Sequence, residues 1–322
     1  MRTIKWGIIG LGGIANKLAQ AVTSMSSVEL VAVASRSKEK SETFGNRYGV
    51  TKDKCYGSYD EIVKDKEVEV IYVAVPHNFH KELSILCLKN GKAVLCEKPV
   101  TISEEEIREV IKVAEENKVF FMEAMKTRFL PVHRKAKELI EEGKIGEVRL
   151  LQADFGSLVP FDPEGRIYNK DLAGGALLDV GVYNISYSAF IFGNKPKAID
   201  STLYIGKTGV DENVSVTLTY ENGEQAQLYG AINAPTIREA NIIGTKGRIC
   251  VPRYSSGEKV VLILDGKEEV IDLPFEINGF EYQIEEVSNC IREGKLESEV
   301  MSWQDSIEVM RIMDEVARGK RV

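Results

Sequence analysis

A glycine-rich turn directly after the first apolar run limits the folds open to this chain. Ile4–Ile9 is a short apolar run that leads into Gly10-Leu11-Gly12-Gly13-Ile14-Ala15. In this G-x-G-x-x-A arrangement the first glycine permits a tight turn, the second lets the backbone approach a ligand, and the alanine allows close helix–strand packing. A glycine turn without a ligand is the alternative. The strand before and the helix after favour a dinucleotide site at Gly10, Gly12, Gly13, Ile14 and Ala15.

Up to Met122, short runs rich in Val, Ile and Ala alternate with helical patterns. Continuous apolar runs of this length suit strands buried on both faces of a parallel sheet. The predicted strands are Ile4–Ile9, Glu29–Ala34, Val70–Val75, Ala93–Cys96 and Val119–Met122. The predicted helices are Ile14–Thr23, Lys38–Tyr48, Tyr59–Lys64, His80–Asn90 and Glu104–Asn117. Residues 1–122 are therefore predicted to form a doubly wound α/β domain of the Rossmann type, with a mostly parallel sheet.

From residue 123 onward, strands with period-2 alternation replace this pattern. The predicted strands are Glu147–Phe155, Val214–Tyr220, Gln225–Ile232, Glu239–Ile243, Arg248–Val251, Val260–Leu264 and Val270–Leu273. The predicted helices are Val132–Glu142, Ala176–Phe192, Phe280–Arg292 and Trp303–Arg318. Asn222-Gly223 and Asp265-Gly266 indicate tight hairpins, because both residue types tolerate positive φ. Residues 123–322 are predicted to form an α+β domain on a largely antiparallel, open sheet.

The end of the second strand indicates which dinucleotide binds. Folds that bind NAD place an Asp or Glu there for the ribose hydroxyls, whereas this chain has Ser35-Arg36-Ser37. The serine hydroxyls can donate to a phosphate, and Arg36 can stack on adenine or pair with a 2′-phosphate. A solvated helix start with Ser37 as N-cap is the alternative. The pattern favours NADP over NAD.

Lys98 is the first candidate for chemistry. Glu97-Lys98-Pro99 follows the strand Ala93–Cys96, so Lys98 is expected in the crevice outside the carboxyl end of that strand, where ligands bind. A lysine there can donate a proton or hydrogen bond to a substrate oxygen. By physics alone, a surface charge after a strand is an equally good interpretation.

Asp179 and Tyr183 form the second candidate pair. They lie four residues apart in the predicted helix Ala176–Phe192 and would share one face of it. A carboxylate beside a phenol can orient it as a proton donor to a carbonyl. Alone, an acid near a helix start and a tyrosine in the core are the more common explanation.

Four motifs in this order make the chain resemble the glucose–fructose oxidoreductase/inositol dehydrogenase (Gfo/Idh/MocA) family over nearly its whole length. The motifs are Gly10–Ala15, Glu97–Val100, Met122–Pro131 and Gly174–Tyr183. Within the family, the chain is similar to the branch of NADP-dependent dihydrodiol and sugar dehydrogenases. Many members carry histidine where Tyr183 stands, and tyrosine there resembles that branch.

The resemblance implies roles for individual residues. Lys98 and Tyr183 act at the reacting oxygen and Asp179 supports them. Pro76, His77 and His80 lie beside the nicotinamide together with Glu97, although His80 could equally cap the helix that it opens. Lys126, Arg128 and Phe155 line the substrate pocket. The branch tends to carry an aromatic residue at position 126, so Lys126 favours a polyol, sugar or oxo compound over an aromatic dihydrodiol.

Charge and composition limit the partners. The net charge of −7 argues against nucleic acid and anionic membranes. Five cysteines without a C-x-x-C pair suit reduced thiols, and the three histidines do not combine with them at zinc spacing, so no metal is expected. The basic, then apolar N-terminus resembles a signal peptide, but its glycines and the strand–turn–helix pattern favour a cytoplasmic protein. No apolar run approaches the ~20 residues of a membrane span.

The sequence therefore predicts an enzyme that transfers a hydride between NADP and a hydroxyl- or carbonyl-bearing carbon of a small molecule. Two alternatives remain: an inositol or deoxysugar-type dehydrogenase of the same superfamily, and an NADP-sensing regulator without turnover. A sensor has no need for Lys98, Asp179 and Tyr183 together. The alternating strands predict a sheet face that helices do not cover, and the family resemblance implies a homodimer through that face, with a solvated face as the alternative.

Overall fold

The structure, a computed structural model, describes residues 2–322 and contains two compact units. The N-terminal unit comprises the chain up to Thr101, Glu105–Ala124 and Glu276–Ser306. The C-terminal unit comprises Ile102–Glu104, Met125–Phe275 and Ile307–Val322. These units differ from the predicted ranges 1–122 and 123–322, since the segment 276–306 belongs to the first unit.

The N-terminal unit contains a six-stranded parallel sheet. Its strands are β1 (Ile4–Ile9), β2 (Val28–Ala34), β3 (Cys55–Tyr56), β4 (Val70–Val73), β5 (Ala93–Glu97) and β6 (Phe121–Ala124), in the order β3-β2-β1-β4-β5-β6. Its helices are α1 (Gly13–Ser24), α2 (Lys38–Arg47), α3 (Tyr59–Ile62), α4 (His80–Lys89), α5 (Glu104–Asn117) and α8 (Glu281–Glu293). Almost every residue of β1, β4, β5 and β6 is buried, as expected for strands covered on both faces. The predicted fold class is confirmed.

The strand order reverses at β1, which positions the site. Ile9 at the end of β1 is in register with Ala34 of β2 on one side and Val73 of β4 on the other. Val73 in turn is in register with Cys96 of β5. The residues that follow these four strands therefore lie along one edge of the sheet, at the topological switch point where ligands bind in such folds.

Some predicted boundaries in this unit are wrong. The predicted strand Val70–Val75 ends at Val73, because the chain turns there into the segment that leads to α4. The predicted strand Val119–Met122 lies two residues further on, because Lys118 adopts φ 53° and Val119 N still bonds to Ala114 O at the end of α5. The two-residue strand Cys55–Tyr56 was not predicted, since two residues carry no periodicity.

The C-terminal unit contains a nine-stranded, mostly antiparallel sheet. Its strands are β7 (Val148–Gly156), β8 (Ala198–Ile205), β9 (Asp211–Thr219), β10 (Gln225–Ala231), β11 (Ala240–Gly244), β12 (Gly247–Val251), β13 (Lys259–Leu264), β14 (Lys267–Asp272) and β15 (Lys320–Arg321). The order is β14-β13-β12-β11-β7-β10-β9-β8-β15, and only β7–β10 and β8–β15 pair in parallel among the described strands. Strand β8 was not predicted; its sequence AIDSTLYI lacks a regular alternation of apolar and polar residues, and only Leu203 in it is buried.

Three helices accompany this sheet. They are α6 (Pro131–Glu141), α7 (Val182–Phe192) and α9 (Trp303–Ala317). The predicted single helix Ala176–Phe192 is instead a π-helical segment, Leu177–Gly181, that continues into α7. Ala176 and Val180 pack with Tyr168, Val210 and Ile232 in a buried cluster below this segment. A π-helical turn inside a helix is often found at functional sites.

One face of the nine-stranded sheet is buried and the other is accessible. In β10, Ala226 and Leu228 are buried whereas the alternate residues Gln225 and Gln227 are exposed. Strand β9 shows the same alternation. The open face predicted from the alternating sequence is therefore present.

The stretch Lys170–Phe192 is long and apolar enough to span a membrane by length and composition. It is not an unbroken apolar run of the kind that the sequence analysis expected to be absent, since Lys170, Asp171 and Asp179 lie within it. However, 67% of the apolar window is buried inside the molecule, which is typical of a core helix in a globular protein.

Candidate active site

The turn between β1 and α1 has room for a ligand on one side only. Gly10 has φ 87°, and a Cβ there would lie 2.5 Å from Ala74 O, so only glycine fits. Gly12 is the N-cap of α1, and a Cβ at Gly12 or Gly13 would meet nothing within 4 Å. Ala15 is buried where α1 packs on the sheet. The open space and the amides at the start of α1 fit a dinucleotide pyrophosphate.

A cavity of about 220 Å³ lies at the carboxyl edge of the same sheet. It is lined by Arg36, Tyr59, Val75, Pro76, Phe79, Glu82 and Leu83. Burial raises the pKa of Tyr59, and the nearby Arg36 guanidinium opposes that rise. A guanidinium with two aromatic rings fits an adenine and a 2′-phosphate. Sequence reasoning missed Tyr59 and Phe79, because aromatic residues in short loops and helices carry no motif of their own.

Ser35 and Ser37 are used within their own loop. Ser35 Oγ donates to Ser37 O at 2.8 Å and accepts from Ser37 N at 3.0 Å. Ser37 caps α2, and its Oγ accepts from Lys40 N at 3.3 Å. The expectation that these serines donate to a phosphate stays a prediction. Both serines shape the loop that presents Arg36.

The segment after β4 is tied to the segment after β5 by His80. His80 is fully buried, with Nε2 2.9 Å from Val75 O and Nδ1 2.8 Å from Pro99 O. The His77 ring is also buried, 5.6 Å from that of His80. His80 was predicted to reach the pocket or to cap α4. Its ring nitrogens instead lie against two backbone carbonyls, one next to Pro76 and one next to Lys98. His80 thus links the segment that follows β4 to the segment that follows β5.

Lys98 stands on a strongly braced strand end. It is half-buried and follows Glu97, whose carboxylate accepts from the buried Tyr72 hydroxyl and from Lys98 N. Two residues later, Val100 N bonds to Glu123 Oε1 at 3.1 Å, and Ser306 Oγ bonds to Glu123 Oε2 at 2.9 Å. These carboxylates fix the backbone around Lys98. Tyr72 and Glu123 were not predicted as site residues, because both lie inside strands whose sequences indicate only buried core positions.

In the C-terminal unit, the Asp179 carboxylate is paired with an arginine. Arg166 Nη2 lies 3.0 Å from Asp179 Oδ1, and both side chains are partly exposed. Asp179 lies in the π-helical segment and Tyr183 is the second residue of α7. The ion pair fixes the Asp179 carboxylate four residues before Tyr183. Arg166 was missed, since a loop arginine has no recognisable spacing to a helix acid.

Aromatic side chains surround Tyr183. The Phe155 ring lies 5.3 Å from the Tyr183 ring and 6.4 Å from that of Tyr254. The Arg238 guanidinium stacks over Phe155 at 5.1 Å and is held by Gly156 O at 2.9 Å. The Phe155 ring and the Arg238 guanidinium together offer an apolar surface and a cation to a bound molecule.

Tyr254 braces the helix that carries Tyr183. Burial raises the pKa of Tyr254 well above its usual value, so it is a neutral phenol. Its hydroxyl donates to Asn184 Oδ1, and Asn184 Nδ2 donates to Tyr229 O at 2.9 Å. Asn184 is next to Tyr183, so this chain of bonds limits rotation of α7.

The two predicted basic substrate residues differ in their surroundings. The Lys126 ammonium lies 5.8 Å from the Phe275 ring and the side chain is partly exposed. Arg128 is buried, with its guanidinium 5.3 Å from Phe190 and its Nε 3.4 Å from Ser186 Oγ. Phe190 and Ser186 belong to α7, so Arg128 packs against that helix. The substrate role of Arg128 stays a prediction.

Within residues 2–322, no three His, Cys, Asp or Glu side chains lie together as metal ligands.

A parallel sheet with a glycine turn at its switch point, followed by an open mixed sheet, defines a class of two-part oxidoreductases. Residues 4–125 match the family described as "Oxidoreductase family, NAD-binding Rossmann fold", and residues 133–250 match the "GFO/IDH/MocA C-terminal domain". The chain belongs to the Gfo/Idh/MocA oxidoreductase family, and it is an enzyme of the dehydrogenase/reductase type. The resemblance stated from the motifs is confirmed.

Relatives are similar over nearly the full chain. The trans-1,2-dihydrobenzene-1,2-diol dehydrogenase of Xenopus laevis is 37% identical, over 97% of this chain and 96% of that protein. The enzyme of the same name from Homo sapiens is 33% identical, over 98% of this chain and 96% of its own length.

Solved structures are also similar. The 3-ketoreductase KijD10 from Actinomadura kijaniata, in complex with NADP and TDP-benzene, has a TM-score of 0.90 at 26% identity, covering 99% of this chain and 98% of its own. An aldose-aldose oxidoreductase from Caulobacter crescentus, complexed with glycerol, has a TM-score of 0.91 at 24% identity, covering 98% of this chain and 97% of its own. The latter likeness concerns the fold alone.

Proposed function

We propose that this enzyme is an NADP-dependent dehydrogenase or reductase. It transfers a hydride between the nicotinamide and a CH–OH or carbonyl carbon of a sugar, polyol, dihydrodiol or dicarbonyl compound. The observation that carries the cofactor preference is the cavity lined by Arg36, at the end of a strand that lacks an acid. The NADP in the similar 3-ketoreductase supports the same preference.

The chain's own residues supply binding and proton transfer. Bound NADPH supplies the hydride. In reduction, Tyr183 or Lys98 delivers a proton to the substrate oxygen, and the Lys98 charge stabilises the negative charge that develops there. In oxidation, the same groups take the hydroxyl proton. Asp179, which is paired with Arg166 and lies four residues before Tyr183, orients the phenol for this step.

The substrate class follows from the surroundings of Tyr183. The Phe155 ring gives a flat apolar surface beside Tyr183, and Arg238 adds a cation over that ring. The family resemblance assigns Lys126 to the same pocket. Cations donate charge-assisted hydrogen bonds, so they favour a molecule with several hydroxyl or oxo groups. We therefore rank sugars, polyols and dicarbonyls above aromatic dihydrodiols.

The test is an absorbance screen at ~340 nm, where NADPH absorbs, with the reaction run in both directions. D-glucose, myo-inositol, trans-1,2-dihydrobenzene-1,2-diol and diacetyl each represent one class. Turnover with NADP that exceeds turnover with NAD supports the proposal. Tight binding of NADPH, measured by fluorescence, with no turnover of any class would instead favour the sensing regulator. Turnover of myo-inositol alone would favour the inositol-type dehydrogenase.

We also propose that the enzyme forms a homodimer through the open sheet face. This face bears a cavity of about 390 Å³ lined by polar side chains, among them Gln152, Ser215, Thr217, Gln227 and Asn241. Gln152 Nε2 donates to Gln227 Oε1 at 3.0 Å, which orders the surface for a matching copy. Sedimentation equilibrium tests this, and a monomer at micromolar concentration would contradict it. The cytoplasmic location stays a prediction from the sequence.

A further inference from the structure

The π-helical segment Leu177–Gly181 is anchored at its start by a carboxylate from far along the chain. Asp211, the first residue of β9, accepts a hydrogen bond from Leu177 N at Oδ2, at 2.6 Å. The Ala176 amide also bonds to this carboxylate. The first amides of a helix have no partner within the helix, and an anion at this end is further stabilised by the helix dipole. Asp211 thus caps the helix that bears Asp179 and Tyr183.

The glycine pair before the segment is shaped around the same carboxylate. Gly175 has φ 115°, and a Cβ there would collide with Asp211 Oδ1. A Cβ at Gly174 would collide with the carbonyl oxygens of Arg166 and Ile167. Gly175 N bonds to Ile167 O at 2.9 Å, and Gly175 O accepts from Asp179 N at 3.1 Å. The turn therefore lies between the Asp211 carboxylate and the backbone of Arg166, the ion-pair partner of Asp179.

We infer that Asp211 is a positioning residue for the reaction: its ionised carboxylate holds the Gly174–Leu177 turn and through it sets the places of Asp179 and Tyr183. This inference rests on the proposed roles of Asp179 and Tyr183. Asp211 acts through the helix start and need not touch the substrate. Catalytic groups tolerate little displacement, since a shift of ~1 Å can cost about a hundredfold in rate.

The surroundings of Asp211 disfavour the ionised form of its carboxyl group. Asp211 borders a cavity of about 320 Å³ that is lined largely by apolar side chains, including Leu177, Met310 and Met313. Burial is the main effect and raises the pKa of Asp211 to about 6, against the opposing hydrogen bonds from Leu177 and Ala176 and the charge of Arg321. The other charged residues that line the cavity are Lys170 and Asp314.

The direction in which the Asp211 charge changes the stability of the fold distinguishes a positioning role from a purely structural one. Because folding raises the pKa, the folded state binds the proton more tightly between pH 4 and 6, roughly, and stability falls as pH rises through this window. Above it, the ionised group opposes folding. An uncharged amide of the same shape should therefore not lower thermal stability at neutral pH, while it loses the charge that orders the two amides.

The experiment compares Asp211→Asn with wild type, using NADP and the fastest substrate of the screen. We expect kcat to fall about tenfold at neutral pH with KM for NADP changed less than about twofold, and Tm to be no lower than that of wild type. Wild-type kcat should fall below pH 6, roughly, as Asp211 takes a proton, whereas that step should be absent from the variant. Asp200→Asn, an exposed aspartate on the adjacent strand β8, is the matched control and should behave as wild type.

A double-mutant cycle with Tyr183→Phe tests the route of the effect. If Asp211 acts through Tyr183, the double variant should be no slower than Tyr183→Phe alone, within about twofold. Two outcomes would overturn this inference without affecting the proposed role of Tyr183. In the first, the losses in kcat of the two single variants multiply in the double variant. In the second, Asp211→Asn keeps the wild-type kcat and pH profile while Tyr183→Phe is impaired. An unimpaired Tyr183→Phe would overturn the proposed role of Tyr183 and this inference with it. Gly175→Ala perturbs the same contact from the opposite side and should repeat the loss in kcat.

Discussion

The two units hold their candidate site residues in different ways. In the N-terminal unit, Gly10, Ser35 and Lys98 each follow directly after a strand, and the parallel register carries them to one edge of the sheet. In the C-terminal unit, the partners of the site helix come from elsewhere: Leu177 bonds to Asp211, 34 residues away. Arg238 reaches Gly156 across 82 residues. The first unit thus places its residues by strand order, and the second by packing between distant segments.

The difference teaches where chemistry can be recognised in a sequence of this kind. Motifs at strand ends can be recognised as short sequence patterns, because there the residues that form the turn also form the binding site. The surroundings that orient Tyr183 are scattered along the chain and carry no pattern. Three variants or conditions test this contrast, beginning with the largest expected effect.

The largest effect should come from Lys98→Ala in the N-terminal unit. Without the ammonium, the developing charge on the substrate oxygen loses its stabilisation, and kcat should fall about a thousandfold, equivalent to about 4 kcal/mol. The fold and the glycine turn are untouched, so NADPH should still bind within about threefold of wild type, as measured by fluorescence titration. Lys112→Ala, an exposed lysine on α5, is the control. Unchanged turnover would show that the motif after β5 is not catalytic.

The second effect concerns packing across long sequence distances in the C-terminal unit. His133 is fully buried, and its Nε2 lies 2.7 Å from Tyr254 O, 121 residues away. Burial lowers the pKa of His133 to about 4, so the ring is neutral in the folded protein. The unfolded chain takes up a proton below pH ~6.5, so stability is lost as pH falls from there, by about 2 kcal/mol at pH 5.

Urea unfolding at pH 7 and pH 5 measures this loss. Wild type should lose about 2 kcal/mol more than His133→Gln between the two pH values, because glutamine does not titrate. Tyr187→Phe is the matched control: its ring lies 4.7 Å from His133 and burial raises the pKa of its phenol, so it should keep the wild-type pH dependence. Equal losses in wild type and His133→Gln would show that this histidine does not link the segments as described.

The smallest effect should come from Arg36→Ala in the cofactor cavity. Loss of the guanidinium should weaken NADPH binding about tenfold, or about 1.4 kcal/mol, and NADH binding less than about twofold. Isothermal titration with both nucleotides measures the two affinities. Equal weakening of both would mean that Arg36 contacts a part of the nucleotide that NADPH and NADH share.

The success of the sequence-based predictions follows the same division. The parallel order of the first sheet, the hairpins of the second and the family were all predicted from periodicity and motifs. The strand Ala198–Ile205, the π-helical segment Leu177–Gly181 and the return of 276–306 to the first unit were not. Each depends on what packs against the segment, and local pattern does not record that.

By itself, the sequence determined the glycine turn and the residues that follow β2 and β5, because a strand, a turn and a helix impose local requirements on residue type. Only the tertiary structure decided that Arg128 is buried against α7 and that His80 bridges two carbonyls. It also brought Asp211 to the start of the helix that carries Tyr183. The physical reason is that a side chain's partners are set by which distant segments the fold brings within hydrogen-bond distance.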